Sequence, residues 1–444
     1  YLLKTQALYL QDTYTRNRLT LNLGLRWDRQ TDEALATEVP ANPLIPEIMP
    51  AISFPGLSHD VVWNDISPRI GVNYDVFGTG RTVARSSYSI YYGQMGPGQL
   101  VGNLVSIGQV LVRYPWADAN GDSFVQVDEV DFTRLLSRSG TFDPENPTNF
   151  NSPNSIDDSV KNDRTREFIL GLDHELLPGV GVGASYIWRK YDQFAWTDNP
   201  GIASSDYTAV EFDPTCDVAD ARCESVTYYQ PNFVPPTGEI YTNQPDRYRN
   251  YNGIELSLDK RYSNRWMANV SFGYNDAKDY WDSADAYEDP TNIAQQHGAE
   301  FAPESGGSGI DNVFTNAKWL FKASGMYTLP LWDINLAANS QYRQGYPFPQ
   351  VVRTPSRPNQ AGRVNVLLDP LGDVRLENLF MLDLPVDRPF QIGKMRLIPS
   401  VDVFNATNTN AILARRRIQT DDDANQISGI VAPRVIRFGV RVTW

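Results

Sequence analysis

Strict two-residue alternation, repeated in segment after segment, constrains this chain more than any other feature of its sequence. Over residues 18–28, Leu19, Leu21, Leu23, Leu25 and Trp27 share one face of an extended strand, while Thr20, Asn22, Gly24, Arg26 and Asp28 share the other. The same phase returns in Ile70, Val72 and Tyr74, in Val180, Val182, Ala184, Tyr186 and Trp188, in Ile254, Leu256 and Leu258, and in Trp266, Ala268, Val270, Phe272 and Tyr274. A sheet wetted on one face only satisfies this pattern. In a soluble sandwich the polar face is the outside; in a membrane barrel it is the inside.

Connection lengths separate the two. Tight connections fall near 15–18, 77–81, 177–179, 263–265, 329–333 and 388–394, and between them lie long polar stretches near 31–64, 94–162, 193–248, 280–314, 345–375 and 407–433. Several far exceed the roughly 15 structureless residues usual in a compact domain. A sandwich scatters its long loops over both ends, whereas a transmembrane barrel keeps tight turns on its periplasmic rim and long loops on its outer rim. The chain is therefore expected to be all-β, an antiparallel up-and-down transmembrane β-barrel with long extracellular loops. Strands of about ten residues, rising ~3.3 Å each and tilted ~40°, span the ~25 Å lipid-facing band. Trp27, Tyr92, Trp188, Tyr274 and Tyr342 fall where an outer aromatic belt is required, and Trp266, Tyr327 and Trp444 where an inner one is. About thirteen strands are expected, near 7–14, 18–28, 67–76, 82–92, 166–176, 180–190, 252–262, 266–275, 317–329, 334–344, 377–386, 395–404 and 435–444. Single-chain bacterial barrels take even numbers with both termini in the periplasm, so residues 1–444 read as the carboxy-terminal part of a larger barrel.

Composition removes the competing classes. Mean hydropathy is −0.40, and no apolar run approaches the roughly 18 to 20 residues a membrane helix needs. A net charge of −14 speaks against nucleic acid, which demands a basic footprint, and favours acidic loops suited to divalent cations. The chain opens on Tyr1 with neither an initiator Met nor a signal peptide and runs almost directly into a strand pattern, so its first residue reads as downstream of the gene's true start. At the other end Phe438, Val440, Val442 and Trp444 alternate with polar or small residues and stop on an aromatic. The order Arg437-x-Gly439-x-x-Val442-x-Trp444 also resembles the signal by which the barrel-assembly machinery of the outer membrane recognises its clients.

Longer strings carry a family resemblance: ALYLQDTYTRNRLTLNLGLRWD from Ala7, RNYNGIELSLDKRYSNRWMANVSFGYN from Arg249, NAKWLFKASGMYTLP from Asn316, YRQGYPF from Tyr342 and VDVFNATN from Val401. They resemble the barrel of TonB-dependent receptors, most closely the Oar-like branch that carries a carboxypeptidase-regulatory-like domain ahead of its plug. The resemblance covers most of the chain, is specific in the hairpins and is weak in the long loops. It implies a plugged barrel of about 22 strands, of which these are the last. It also implies the outer membrane of a Gram-negative-type bacterium as the location, and the TonB complex and a plug domain as partners beside outer-membrane lipid. No TonB-box segment or globular plug precedes the first strand here. The expected function is energised uptake of an unidentified ligand, gated by that plug. A structural or adhesive surface protein and a passive porin are the alternatives.

Local motifs are few. Inside the 94–162 loop, Asp118, Asn120, Asp122, the carbonyl of Phe124, Gln126 and Glu129 occupy positions 1, 3, 5, 7, 9 and 12 of a calcium loop, with Val125 at the apolar position that ties such loops to neighbours. Ser123 replaces the glycine that makes the sharp turn, at about 1 to 2 kcal/mol for a positive φ. A structural Ca²⁺ and an ion-free Asp/Asn-rich turn both fit this string. Cys216 and Cys223, close together in the polar 193–248 loop, suit a small disulfide formed in an oxidising compartment, with two free thiols as the other possibility. His59, His174 and His297 are scattered without partners at metal-ligand spacing, and no phosphate loop or catalytic constellation is present, so the chain does not read as an enzyme. Lumen-phase Arg26, Arg69, Asp75, Arg85, Glu255, Asp259, Arg343, Arg437 and Arg441 are expected to pair across strands and with a plug.

Overall fold

Fifteen strands of the chain join into one antiparallel sheet; Leu57–Ser58 and Phe390–Ile392 are short flaps on it, and the long strands form a continuous wall in chain order. This is a computed structural model; it describes residues 1–444 apart from 44, 106–110, 139–144, 150–151 and 306–312, so parts of the long connections near 31–64, 94–162 and 280–314 lie outside the described residues. The wall strands are β1 (Leu2–Arg16), β2 (Leu19–Ala34), β3 (Trp63–Asp75), β4 (Thr82–Tyr92), β5 (Arg164–Leu177), β6 (Val180–Asp192) and β7 (Arg247–Ser263). They continue as β8 (Trp266–Trp281), β9 (Trp319–Thr328), β10 (Asn335–Arg343), β11 (Leu379–Asp387), β12 (Met395–Phe404) and β13 (Val435–Thr443). Each pairs with its sequence neighbour, β1 to β2 through β12 to β13. Among the described residues no ladder joins β13 back to β1. No helix of the described residues is long and apolar enough to cross a membrane.

Turn chemistry explains the short rim. Ser263 pairs with Trp266 across a two-residue turn in which Asn264 (φ 51) and Arg265 (φ 70) both take left-handed backbone, the geometry that matches the twist of a tight hairpin. Asp75 accepts from the Gly78 and Gly80 amides at 2.9 and 2.8 Å, so it fastens the β3–β4 turn instead of lining the lumen as its phase suggested. Several wall strands run longer than the sequence pattern indicated: β2, β7 and β8 have 16, 17 and 16 residues. Their extra residues lie at the long-loop end. There apolar alternation gives way to charges, as in Arg29, Asp32 and Glu33 or Asp276, Lys278 and Asp279, but the backbone ladder needs no apolar side chain to continue.

Register places the apolar phase of every strand on one side. Leu25 lies opposite Pro68, Leu23 opposite Ile70, Leu172 opposite Ala184, Leu256 opposite Phe272 and Val401 opposite Phe438. These side chains are not a core: Leu25, Ile70, Leu172 and Leu256 are 46 to 52% exposed. A face of this size left in water forfeits roughly 1.5–3 kcal/mol per large side chain, which lipid contact restores. The buried apolar residues lie mostly in the outer loops and the strand ends beneath them. Val61, Trp63, Met95, Leu100, Val160 and Tyr241 make one cluster, Ala34, Phe54 and Val101 a second, and Leu379, Ala411 and Val431 a third.

Candidate functional site

On the polar face of the wall, a train of contacts crosses five neighbouring strands. The Arg69 guanidinium lies 5.0 Å from the centroid of the Tyr91 ring, and the Tyr91 hydroxyl donates to Glu167 at 3.4 Å. Arg189 Nε donates to Glu167 at 2.6 Å, and its guanidinium lies 5.3 Å from the Tyr251 ring. Arg26 forms a two-pronged pair with Asp28 of its own strand, both bonds at 2.7 Å. Arg85 reaches across to Asp173 at 3.4 Å and Ser185 at 3.0 Å, and Arg437 reaches Asp402 at 2.9 Å. Asn269 bonds Asp259, and Arg343 is buried 3.7 Å over the Tyr346 ring with its guanidinium donating to the Gln344 carbonyl at 3.0 Å. Clefts of about 310 Å³ (lined by Arg26, Asp28, Arg69 and Tyr91) and 380 Å³ (lined by Asn73, Arg85, Ser185 and Glu255) open on this face. Alternating cations, anions and aromatic rings along a wall suit passage or seating of a hydrophilic solute and of a polar protein surface.

Above the wall the outer loops lock into one another. Cys216 and Cys223 are joined in a disulfide with Cα atoms 6.0 Å apart. The small ring holds Arg222 against residues far away in sequence: its amide donates to Gln419 at 2.9 Å, and its guanidinium to Gln350 at 3.2 Å and to Asp369. Asn425 adds a bond to the Asp220 carbonyl at 2.8 Å. Three loops are thereby tied together. Elsewhere Asp32 sits fully buried, accepting from His59 at 2.7 Å and from the Leu100 and Val101 amides at 3.2 Å. His174, far from it, shares a 2.8 Å bond with Thr82, and His297 contacts the Trp281 backbone, so the three histidines stay apart. In the loops, burial raises both Asp198 and Glu288 above the ordinary carboxylate range; Glu288 accepts from the Asn199 amide at 2.7 Å.

The 118–129 loop folds around its own carboxylates. Asp118 accepts from the Gly121 and Ser123 amides at 2.7 and 3.0 Å, Asn120 from the Asp122 amide at 2.9 Å, and Asp122 from the Phe124 amide at 2.7 Å. Glu129 closes the ring by accepting from Ala119 at 2.9 Å and Gln126 at 3.2 Å. Ser123 takes the positive φ of 64° that the missing glycine required. The Phe124 amide is the main reason Asp122 lies below the usual carboxylate range. Donors of this kind, all oxygen, match a hard cation such as Ca²⁺ and not a transition metal. Two side-chain amides interpose: Asn120 Nδ2 and Gln126 Nε2 both donate to Asp122, at 3.1 and 2.9 Å. No three His, Cys, Asp or Glu side chains converge as metal ligands among the described residues. Phe124 and Val125 are largely exposed, so Val125 does not tie this loop to a neighbour as its position suggested.

A sequence model of the outer membrane beta barrel domain matches residues 2–345. The chain belongs to that family. The outer-membrane barrel is 22% identical to the TonB-dependent transporter Oar of Myxococcus xanthus over 284 residues, which cover 60% of this chain and 22% of that protein. Among solved structures it is similar to the outer membrane transporter YddB of Escherichia coli, at a TM-score of 0.51 and 13% identity, over 99% of this chain and 45% of that one. The unliganded ferric citrate transporter FecA gives a TM-score of 0.51 at 10% identity, over 99% of this chain and 45% of that one. These identities speak for fold alone. The barrel spans less than half the length of the transporters it matches and lies in the outer membrane, as a TonB-dependent-transporter-like barrel whose reported relatives are transporters.

Sequence reading missed Arg222, Glu167, Arg189 and the buried Asp32. Glu167 and Arg189 were open to discovery, since both hold lumen phase with Ile169 and Ile187. Arg222 was not, because the partners it reaches in the other loops stand 128 to 197 residues away.

Proposed function

We propose that this chain is the carboxy-terminal wall and outer canopy of a TonB-dependent receptor that takes up an unidentified ligand. The outer loops seat the ligand, and a plug domain within the remaining wall gates the lumen under the pull of the TonB complex. The observation that carries this reading is the polar train from Arg69 to Tyr251, a charged and aromatic lumen wall beneath interlocked outer loops, in a chain similar to the Oar transporter. Assembly through the barrel-assembly machinery would use the terminal strand, where Arg437, Gly439, Val442 and Trp444 lie on β13 or at its end and Trp444 is fully accessible. The test compares the full-length protein in planar bilayers with a version lacking its plug region, alongside binding of the periplasmic domain of TonB. A closed intact protein, an open plug-deleted one and TonB binding support the proposal. A conducting intact protein that ignores TonB would mean a porin, and a closed one that ignores TonB an adhesive or structural protein.

The 118–129 loop is proposed as a structural Ca²⁺ site, with Asp118, Asn120, Asp122, the Phe124 carbonyl, Gln126 and Glu129 as ligands. Rotation of the Asn120 and Gln126 amides about their terminal bonds would turn oxygen, in place of nitrogen, toward a cation held by Asp122. Calcium titration of the chelated full-length protein tests it; absent binding heat, or unchanged heat in Asp122→Ala, overturns it.

A further inference from the structure

The lipid-facing phase of β5 and β6 does not end in neutral residues. Beyond Phe168, Leu170 and Leu172, the same face of β5 carries Arg166 and Arg164; beyond Tyr186 and Trp188, the same face of β6 carries Lys190 and Asp192. Cross-strand register sets Phe168 beside Trp188, Arg166 beside Lys190, and Arg164 beside Asp192. A rise of about 3.3 Å per residue puts Arg166 and Lys190 roughly 6–7 Å above the Phe168–Trp188 aromatic step. With the aromatics at the interface, that is the depth of the outer-leaflet headgroups.

Charge at this step is unbalanced. Arg164 donates to Asp192 at 2.9 Å and Arg166 donates to the same carboxylate, so two guanidinium groups share one anion. Lys190 has no carboxylate partner among the described residues; its ammonium lies 4.1 Å from the centroid of the Tyr248 ring. Tyr248, in phase with Ile254 and Leu256 on β7, stacks on Tyr280 of β8 with centroids 5.0 Å apart and planes 12° from parallel. Between these groups opens a cleft of about 510 Å³, lined in part by Lys161, Arg164, Lys190, Asp192 and Tyr248. Three further acids line it. Asp157 is held by Thr242 and Ser159, and Asp246 and Asp282 lie at the loop ends of the strands that carry Tyr248 and Tyr280.

We propose that Arg164, Arg166 and Lys190, with the stacked Tyr248–Tyr280 pair, form a lateral site on the outside of the barrel for the phosphorylated sugar headgroup of an outer-leaflet glycolipid. A guanidinium fork and an ammonium suit the oxygens of a phosphate monoester. Tyr248, with Lys190 over its ring and Tyr280 stacked on it, offers an apolar edge for a sugar ring to rest against, and Asp246 and Asp282 line the same cleft as acceptors for its hydroxyls. The site faces lipid and not the lumen, so it stands or falls independently of the transport proposal.

The test uses delipidated full-length protein in detergent, titrated with a bisphosphorylated diglucosamine lipid and with its enzymatically dephosphorylated form, with bound lipid counted by native mass spectrometry. The phosphorylated lipid is expected to bind at least about tenfold more tightly than the dephosphorylated one, and the Arg166→Gln/Lys190→Gln double variant to lose that preference. Tyr248→Ala is expected to weaken both lipids equally. Heat-modifiable gel migration confirms that each variant is folded before it is titrated. Equal affinity for the two lipids, an unchanged preference in the folded double variant, or equally tight binding of phosphatidylglycerol would overturn the site.

Discussion

The wall and the outer loops obey opposite rules for the same side chains. In the wall, Leu25, Ile70 and Leu256 stay about half exposed because their solvent is hydrocarbon, and polar groups gather on the sheltered face. In the loops, Trp63, Met95 and Leu100 are buried against one another in a core of their own, as in any soluble domain. One polypeptide thus holds two kinds of hydrophobic organisation a few residues apart, and Trp63 at the start of β3 already belongs to the loop core while Ile66 and Ile70 on the same strand belong to lipid. The lesson is that exposure alone does not tell an unstable surface from a solvated one; phase along the strand does.

The sharpest way to break this comparison is to delete bulk from each side. Trp63→Ala, which also removes the indole donation to the Val160 carbonyl at 3.0 Å, should cost the loop assembly about 3–5 kcal/mol and leave the wall inserted. Limited proteolysis of the loops alongside heat-modifiable migration reads the two parts separately; loss of both together would mean that wall and loops form one cooperative unit. Next in size, Leu256→Arg should destabilise the wall by about 2–4 kcal/mol, while Ser257→Arg one residue away on the lumen face should change little. Urea unfolding in lipid vesicles compares them, and equal losses would refute the assignment of faces.

Opening the Cys216–Cys223 ring by Cys216→Ser should loosen the Arg222 tether by about 2–3 kcal/mol, visible as faster hydrogen exchange in 345–375 and 407–433 and absent from β5 to β8. The smallest effect expected is a dependence on pH. Burial raises Glu288 and Asp198, so the folded loops bind more protons than the unfolded chain between the ordinary carboxylate values and the raised ones. Stability of this contact is therefore greatest below the unfolded values and declines as pH rises through the raised ones. Exchange protection in 193–246 and 282–305 should increase on mild acidification in the wild type, and Glu288→Gln should flatten the trend. Protection that instead falls on acidification would remove this pair as its source.

Much of the fold was legible before any coordinates. Alternation marked each wall strand, and residues such as Asn264, Gly179 and Gly78 marked the short rim, because both signals are local and act within a few residues. Strand ends were less legible, since β8 runs on to Trp281 through charged residues that no lipid pattern requires. Of the candidate sites, the calcium-type spacing was readable from Asp118 to Glu129, yet the exposure of Val125 and the inward amides of Asn120 and Gln126 were not. Asp75 shows how phase misleads when a turn needs an acceptor more than the lumen does.

The sequence by itself determined which residues face lipid, which face the lumen and which rim carries the loops, because a period of two and the needs of a tight turn are properties of neighbouring residues. Tertiary structure alone decided how the loops interlock, which lumen charges meet, and that Arg164, Lys190 and Tyr248 share one cleft. Those contacts join residues tens to hundreds of positions apart, and their distances follow from the register of the whole sheet and not from any segment of it.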